Sequence, residues 1–320
     1  MKKWQKKIMT AVLFIAGLIL LLALASQIFM PKGNDPDSGM EEVSANGILG
    51  EKPGTVDVLI LGDSEALCSF IPLQMWKDEG YTVYNSASLE QRLDYSYTLL
   101  KRAFRNQKIK GVFLEANAIY RKDSQEIPYQ MLCDRIPVFR YHNRWKSLKR
   151  DDFSFDEPSY KWTDPNKGYD YSTEIEAAGD TDYYTEESDE VSRITLQNRR
   201  YLKKMKKLCD RNGAKLVLIS APSPSNWVPR RHNGSSAAAA DLGIEFIDMN
   251  MVPEETRIDW SVDTRDGGDH LNYTGAVKAT GFLTDYLKKT GLVKSHKDDP
   301  VYADWNDALV RFENSITPRP

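Results

Sequence analysis

Val56-Asp57-Val58-Leu59-Ile60-Leu61-Gly62-Asp63-Ser64 is a short apolar run that ends on a glycine, an acid and a hydroxyl. A run of this length, apolar on both faces, reads as a strand buried on both sides, as strands inside a parallel sheet are. The pattern then repeats. Tyr81 to Tyr84 reads as a second strand, Gly111 to Leu114 as a third, Lys215 to Ile219 as a fourth and Ile244 to Ile247 as a fifth. Helical stretches separate them. Leu93, Tyr97, Leu100 and Phe104 recur at helical spacing, and Tyr201, Leu202, Met205 and Leu208 mark a long helix that stops at Asn212-Gly213. Ser235 to Leu242 is alanine-rich, and a last helix runs from about Thr274 to Lys289. Strand and helix in alternation predict an α/β fold of three α/β/α layers around a five-stranded parallel, flavodoxin-like sheet. Such sheets bind ligands beyond the carboxyl ends of their strands.

The rest of the chain frames this domain. Lys2, Lys3, Lys6 and Lys7 form a basic tail (1–7), and residues 8–30 carry no charge. About 20 apolar residues span a bilayer core, so 8–30 reads as a transmembrane anchor. The lysines place the N-terminus in the cytoplasm and the remainder outside. Ala23-Leu24-Ala25 also resembles a signal-peptidase site, so cleavage after Ala25 is the alternative; either way the body is exported. Residues 31–53, rich in Pro and Gly, read as a linker, 54–292 as the folded domain and 293–320 as a tail. Residues 122–192 interrupt the alternation as a long acidic and tyrosine-rich insertion, poorly ordered in part, notably from Asp164 to Asp189. Arg135 to Lys146, which mixes aromatics and arginines, is better suited to order.

The whole chain has a formal charge of −3, and its first 30 residues hold four lysines and no acid, so the body is acidic. That argues against nucleic acid as a partner, because binding by counterion release needs a cationic surface. Cys68, Cys133 and Cys209 are far apart and form no CxxC, which excludes a zinc ribbon; buried thiols are expected. No metal or cofactor is indicated.

Gly62-Asp63-Ser64 places a hydroxyl at the mouth of the first strand, before helical N–H groups that suit a developing oxyanion. The competing reading is a helix cap by Asp63 or Ser64. A serine nucleophile needs a base. Of His142, His232, His270 and His296, only His270 lies in a glycine-containing loop dense in acids, between the fifth strand and the last helix. The other three read as an insertion residue, a helix-start group and a tail residue.

Val58-Leu-Ile-Leu-Gly-Asp-Ser64 and Asp269-His-Leu-Asn-Tyr-Thr-Gly275 resemble the first and last motifs of the SGNH/GDSL hydrolase superfamily. Tyr84-Asn-Ser-Ala-Ser88 and Glu115-Ala-Asn117 stand where its second and third motifs follow their strands. The resemblance implies Ser64 as nucleophile, with its own N–H as one oxyanion donor. A backbone N–H at Ala87 or Ser86 would be the second donor. The side chain of Asn117, with Asn85 as alternative, would be the third. The family's acid position, 267, is glycine here, and Asp266 and Asp269 flank it. Asp266 is preferred, with Asp269 as alternative, because Gly267 and Gly268 can fold the chain back so that the Asp266 carboxylate meets the ring.

The anchor and Ser220-Ala-Pro-Ser-Pro-Ser-Asn-Trp227 resemble a membrane-tethered branch, the alginate O-acetylation and Dlt-type teichoic-acid D-alanylation proteins. That likeness implies ester hydrolysis or O-acyl transfer on a cell-envelope glycopolymer, through an acyl-Ser64 intermediate. It also implies an acyl donor and a membrane O-acyltransferase as partners. A small-molecule esterase or lipase of the same fold, and a non-catalytic envelope glycan-binding or assembly protein, are the alternatives.

Overall fold

The computed structural model describes residues 3–121, 132–133, 135–179, 181 and 186–317. Residues 122–131 of the insertion, and Lys2, lie outside the described residues. The chain divides into two compact units, Met1–Glu41 with Ser124–Trp162, and Glu42–Asp123 with Thr163–Pro320.

In the first unit, helix α1 (Lys3–Phe29) is long and apolar enough to cross a membrane, and a signal sequence meets the same description. Its last turn is tied down. Arg144 Nη1 donates to the Phe29 carbonyl at 2.7 Å, one of the carbonyls a helix end leaves unmatched, and Arg144 Nη2 pairs with the buried Asp152 at 2.7 Å. The short helix Pro137–Tyr141 packs on α1, and its Val138 N–H donates to Ser26 Oγ.

The second unit holds a five-stranded, wholly parallel sheet in the order β2-β1-β3-β4-β5. Its strands are β1 (Val58–Leu61), β2 (Val83–Asn85), β3 (Gly111–Glu115), β4 (Lys215–Ser220) and β5 (Glu245–Asp248). This is the flavodoxin-like order, which reverses direction at β1 and leaves a crevice there. The register aligns Leu59 with Tyr84 and Val112, so the apolar β1 is the inner strand that the sequence describes. Helices α2 (Ser64–Ser69), α3 (Pro72–Glu79), α4 (Leu93–Asn106), α5 (Leu196–Asn212), α6 (Pro229–Leu242) and α7 (Tyr273–Thr290) flank it. α7 packs on α2 and α3, and α4 packs on α5, which makes the three layers. Val58, Ile60, Phe113, Val217 and Ile219 form the centre of one core with Ala279, Leu283 and Leu287 of α7.

Three segments are more ordered than their composition suggests. Residues 43–50, inside the expected linker, form two helical turns that bury Ile48 and Leu49. The expected tail carries a helix, α8 (Ala303–Ile316), whose fully buried Trp305 lies 5.7 Å from the ring of Trp76 on α3. Its amphipathic spacing of Trp305, Ala308 and Phe312 is the signal that identifies it. The insertion's stretch 163–179 is threaded along the domain by backbone hydrogen bonds: Asp170 N–H to Leu67 O, Glu176 N–H to Thr264 O and Ala178 N–H to Trp260 O. All three cysteines are buried thiols outside any disulfide.

Candidate active site

β1 ends in a turn only glycine can make. Gly62 sits at φ +146°, and a side chain there would overlap Glu115 on the neighbouring β3. The Gly62 N–H donates to Gln91 Oε1, whose amide in turn holds Ser86 O and Ser88 Oγ, so one side chain fixes the loops after β1 and β2. Ser64 begins α2, where helix geometry leaves its N–H without an intrahelical acceptor. Asp63 does not cap this helix: its carboxylate turns to Arg121 at 2.9 Å. The capping explanation of Asp63 therefore fails.

His270 is held from one side. Gly267 (φ +73°) and Gly268 (φ +92°) reverse the chain, and the Asp266 carboxylate closes on both its ring and its backbone. His270 Nδ1 lies 2.6 Å from Asp266 Oδ2, and its N–H donates to Asp266 Oδ1 at 2.7 Å. Asp269 Oδ2 stands 3.7 Å from the same ring nitrogen. With Nδ1–H given to a carboxylate, Nε2 is left as the basic nitrogen. It is buried and, among the described residues, has no partner.

The loop after β4 stitches this turn in place. Ser223 Oγ donates to Asp269 O at 2.8 Å, and Ser225 N–H donates to Gly268 O. The 163–179 stretch braces it from another side, through Gly267 N–H to Glu176 O and Arg265 Nη1 to Asp170 Oδ2 at 3.0 Å. Arg265 Nη2 also donates to Cys68 Sγ on α2 at 2.9 Å, while burial pushes the Cys68 thiol above its usual range. Asn226 Nδ2 donates to Glu65 Oε1 at 2.8 Å and to Asp269 Oδ1, so the immediate neighbours of Ser64 and His270 share one amide. The two are not joined directly. Ser64 Oγ lies 3.4 Å from Glu65 Oε2, a long contact, and catalytic hydrogen bonds often tighten only when substrate is bound.

The oxyanion candidates divide. Asn117 stands beside Ser64's neighbour, its Nδ2 donating to Glu65 Oε1 at 3.1 Å and its Oδ1 accepting from Arg231 at 2.7 Å. The Ala87 N–H donates to Asn85 Oδ1 at 3.2 Å, and the Ser86 N–H to Ile60 O. Asn85 Nδ2 is committed to the Ala66 and Phe70 carbonyls at 2.8 and 3.2 Å. Asn85 thus holds α2 in place. In this resting arrangement the Ala87 N–H must exchange its partner to serve an oxyanion, whereas Asn117 Nδ2 has one of its two hydrogens on Glu65 and a second to offer.

Beneath the serine lie three buried carboxyl groups, Asp63, Glu65 and Glu115, with ligand atoms within 4.8 Å of one another. Burial, then the adjacent Asp63, push Glu65 from 4.5 up to about 9, and burial with the charges of Asp63 and Glu65 pushes Glu115 well up. Glu65 is therefore a neutral acid at pH 7, and Glu115 is shifted in the same direction. Asp63 Oδ1 and Glu115 Oε1 have no other partner among the described residues, which suits protons shared between carboxyls. A divalent cation would need these groups ionised, and Arg121 already supplies the positive charge at Asp63, so the donor set does not fit one.

Sequence reasoning passed over Glu65, Arg121, Asn226 and Arg231. Asn226 lay within reach of it, standing in the loop beyond the carboxyl end of β4 where ligand-binding residues gather. The remaining histidines are engaged elsewhere: His232 Nδ1 with Asp248 at 2.7 Å, which raises its pKa, His296 Nε2 with Asp57 at 2.9 Å, and His142 with Phe139 O.

No protein-family model matches the chain, and no curated protein matches it in sequence. Solved structures of similar fold include TesA, at 14% identity over 74% of this chain and 99% of that one, with a TM-score of 0.41. They also include the psychrotrophic esterase EstA from Pseudoalteromonas sp., at 10% identity over 73% and 97%, with a TM-score of 0.39. A lipase/acylhydrolase from Enterococcus faecalis is similar at 12% identity over 73% and 97%, with a TM-score of 0.37.

Proposed function

We propose that the chain is an SGNH-type serine hydrolase or O-acyltransferase. The observation that carries this reading is His270. Its Nδ1 is clamped by Asp266 at 2.6 Å, its Nε2 is buried and unmatched, and its loop is tied through Asn226 to the residue beside Ser64. His270 Nε2 takes the proton as Ser64 Oγ attacks an ester carbonyl, and Asp266 stabilises the imidazolium. The Ser64 N–H and Asn117 Nδ2 receive the oxyanion. The alcohol leaves with the proton from His270, and water or a second hydroxyl then takes the acyl group from Ser64. The apolar α1 suits a membrane-tethered enzyme facing outwards. That placement supports an O-acylated envelope polysaccharide or teichoic acid as substrate, with a membrane O-acyltransferase as partner.

A second reading, a non-catalytic envelope-binding protein on the same fold, is favoured by the Ala87 donor being occupied and by the missing Ser64–His270 bond. Fluorophosphonate labelling of the detergent-solubilised chain separates the two. We expect one adduct, lost in Ser64→Ala and strongly slowed in His270→Ala. An unlabelled parent protein, or an adduct that persists in Ser64→Ala, defeats the enzyme reading.

A further inference from the structure

Beside the candidate nucleophile lies a polar pocket of about 220 Å³, whose lining includes Asp63, Glu65, Asn117, Arg121, Asn226 and Arg231. Two guanidinium groups line it, and they differ in kind. Arg121 is matched by the buried Asp63 carboxylate at 2.9 Å. Arg231 has no carboxylate partner among the described residues. Its Nη1 donates to two neutral acceptors, Asn117 Oδ1 at 2.7 Å and the Asn226 carbonyl. Its guanidinium carbon lies 5.6 Å from the ring centre of Tyr120, whose hydroxyl donates to the Arg231 carbonyl at 2.9 Å. The head group is therefore held rigidly by neutral groups, while Nε and Nη2 meet no acceptor among the described residues. The acids nearby do not cancel its charge, because Asp63 is taken by Arg121 and Glu65 keeps its proton up to about pH 9.

A fixed guanidinium with one unused edge matches a planar or tetrahedral oxyanion, which it can grip through two N–H groups. Holding Asn117 and Asn226 alone would need a donor and no charge. We propose that Arg231 is a specificity residue that binds a compact oxyanion, a carboxylate or a phosphate, carried by the substrate next to its ester. This rests on the serine-hydrolase reading for its catalytic consequence, and on the pocket alone for binding. Esters whose alcohol carries such a group are then preferred over neutral ones, through tighter binding at Arg231.

Two arms test it on the full-length, detergent-solubilised chain. The first uses Ser64→Ala, which cannot turn over, and titrates it calorimetrically with inorganic phosphate and, separately, glucuronate. Saturable binding of at least one is expected, weakened at least tenfold by adding Arg231→Gln and partly kept with Arg231→Lys; which anion binds distinguishes the two sources. The second compares kcat/KM for a carboxylate-bearing aryl acetate, a phosphate-bearing one and their uncharged methyl esters. Arg231→Gln should lower the charged-to-neutral ratio at least tenfold, mainly through KM, and Arg231→Lys should recover part of it. Thermal melts confirm that both variants fold. Binding of neither anion, an unchanged ratio in Arg231→Gln, or equal loss in the Lys and Gln variants overturns the proposal. Absence of turnover on every ester defeats the hydrolase reading and leaves the calorimetric arm as the test of Arg231.

Discussion

Glu65→Gln should stabilise this protein at neutral pH and have no such effect in acid. The Glu65 carboxyl is 1% exposed, its Oε1 accepts from the Asn117 and Asn226 amides, and its pKa is raised from 4.5 to about 9, first by burial and then by Asp63. Below pH 4.5 the folded and unfolded chains both hold the proton. Above it the unfolded chain releases the proton while the folded chain keeps it, so stability falls as pH rises and levels off near pH 9. At pH 7 the gap is about 2.5 units, and at about 1.4 kcal/mol per unit it costs up to roughly 3 kcal/mol. Glutamine removes the titration. Its carbonyl can keep the two amide contacts, and its –NH₂ can take the place of the acidic O–H facing Asp63 and Ser64. For a domain of this size the gain corresponds to up to roughly 6–12 °C in Tm. Melting curves of parent and variant between pH 4 and pH 8.5 measure it. Curves that run parallel across this range, or a variant less stable at pH 7.5, would refute the assignment of a neutral Glu65 beside Ser64.

The other expectations are more direct. Asp266→Asn places an amide against His270 Nδ1 and favours the wrong tautomer, so ester turnover should fall by ~10³–10⁴, as for a triad acid; Asp269→Asn should cost far less, and steady-state kcat separates them. Gly62→Ala sets a methyl group against Glu115 and strains a φ of +146°, so thermal melts should show a loss of at least ~2 kcal/mol. Trp305→Ala empties a fully buried site between Trp76 and the Lys167 ammonium, 4.6 Å above its ring, and should cost ~3–5 kcal/mol; an unchanged melt would mean that α8 is not part of the domain.

The sheet was legible because its strands are short, apolar and evenly interleaved with helices, a pattern that short-range periodicity records. The ordered outer segments were not. Composition alone makes 163–179 resemble a loose loop, because its polar residues and glycine advertise solvent. What orders it is backbone pairing with Leu67, Thr264 and Trp260, partners far away in sequence. α8 was hidden in the same way, since Trp305 signals burial only once Trp76 is there to receive it.

The sequence alone determined the parallel α/β class and the glycine turn before Ser64, and it singled out His270 among four histidines as the candidate base, each from a few adjacent residues. The Asp266-Gly-Gly-Asp269-His270 stretch likewise implies a reversal, because two glycines in succession tolerate the positive φ it needs. Only the tertiary structure decided what surrounds the serine. Glu65, Asn117, Asn226 and Arg231 come from three different strand ends, and no local pattern links them. It also decided the upward shift of Glu65 and Glu115, because a carboxyl's pKa depends on how much water and charge the folded chain leaves around it, and sequence spacing records neither.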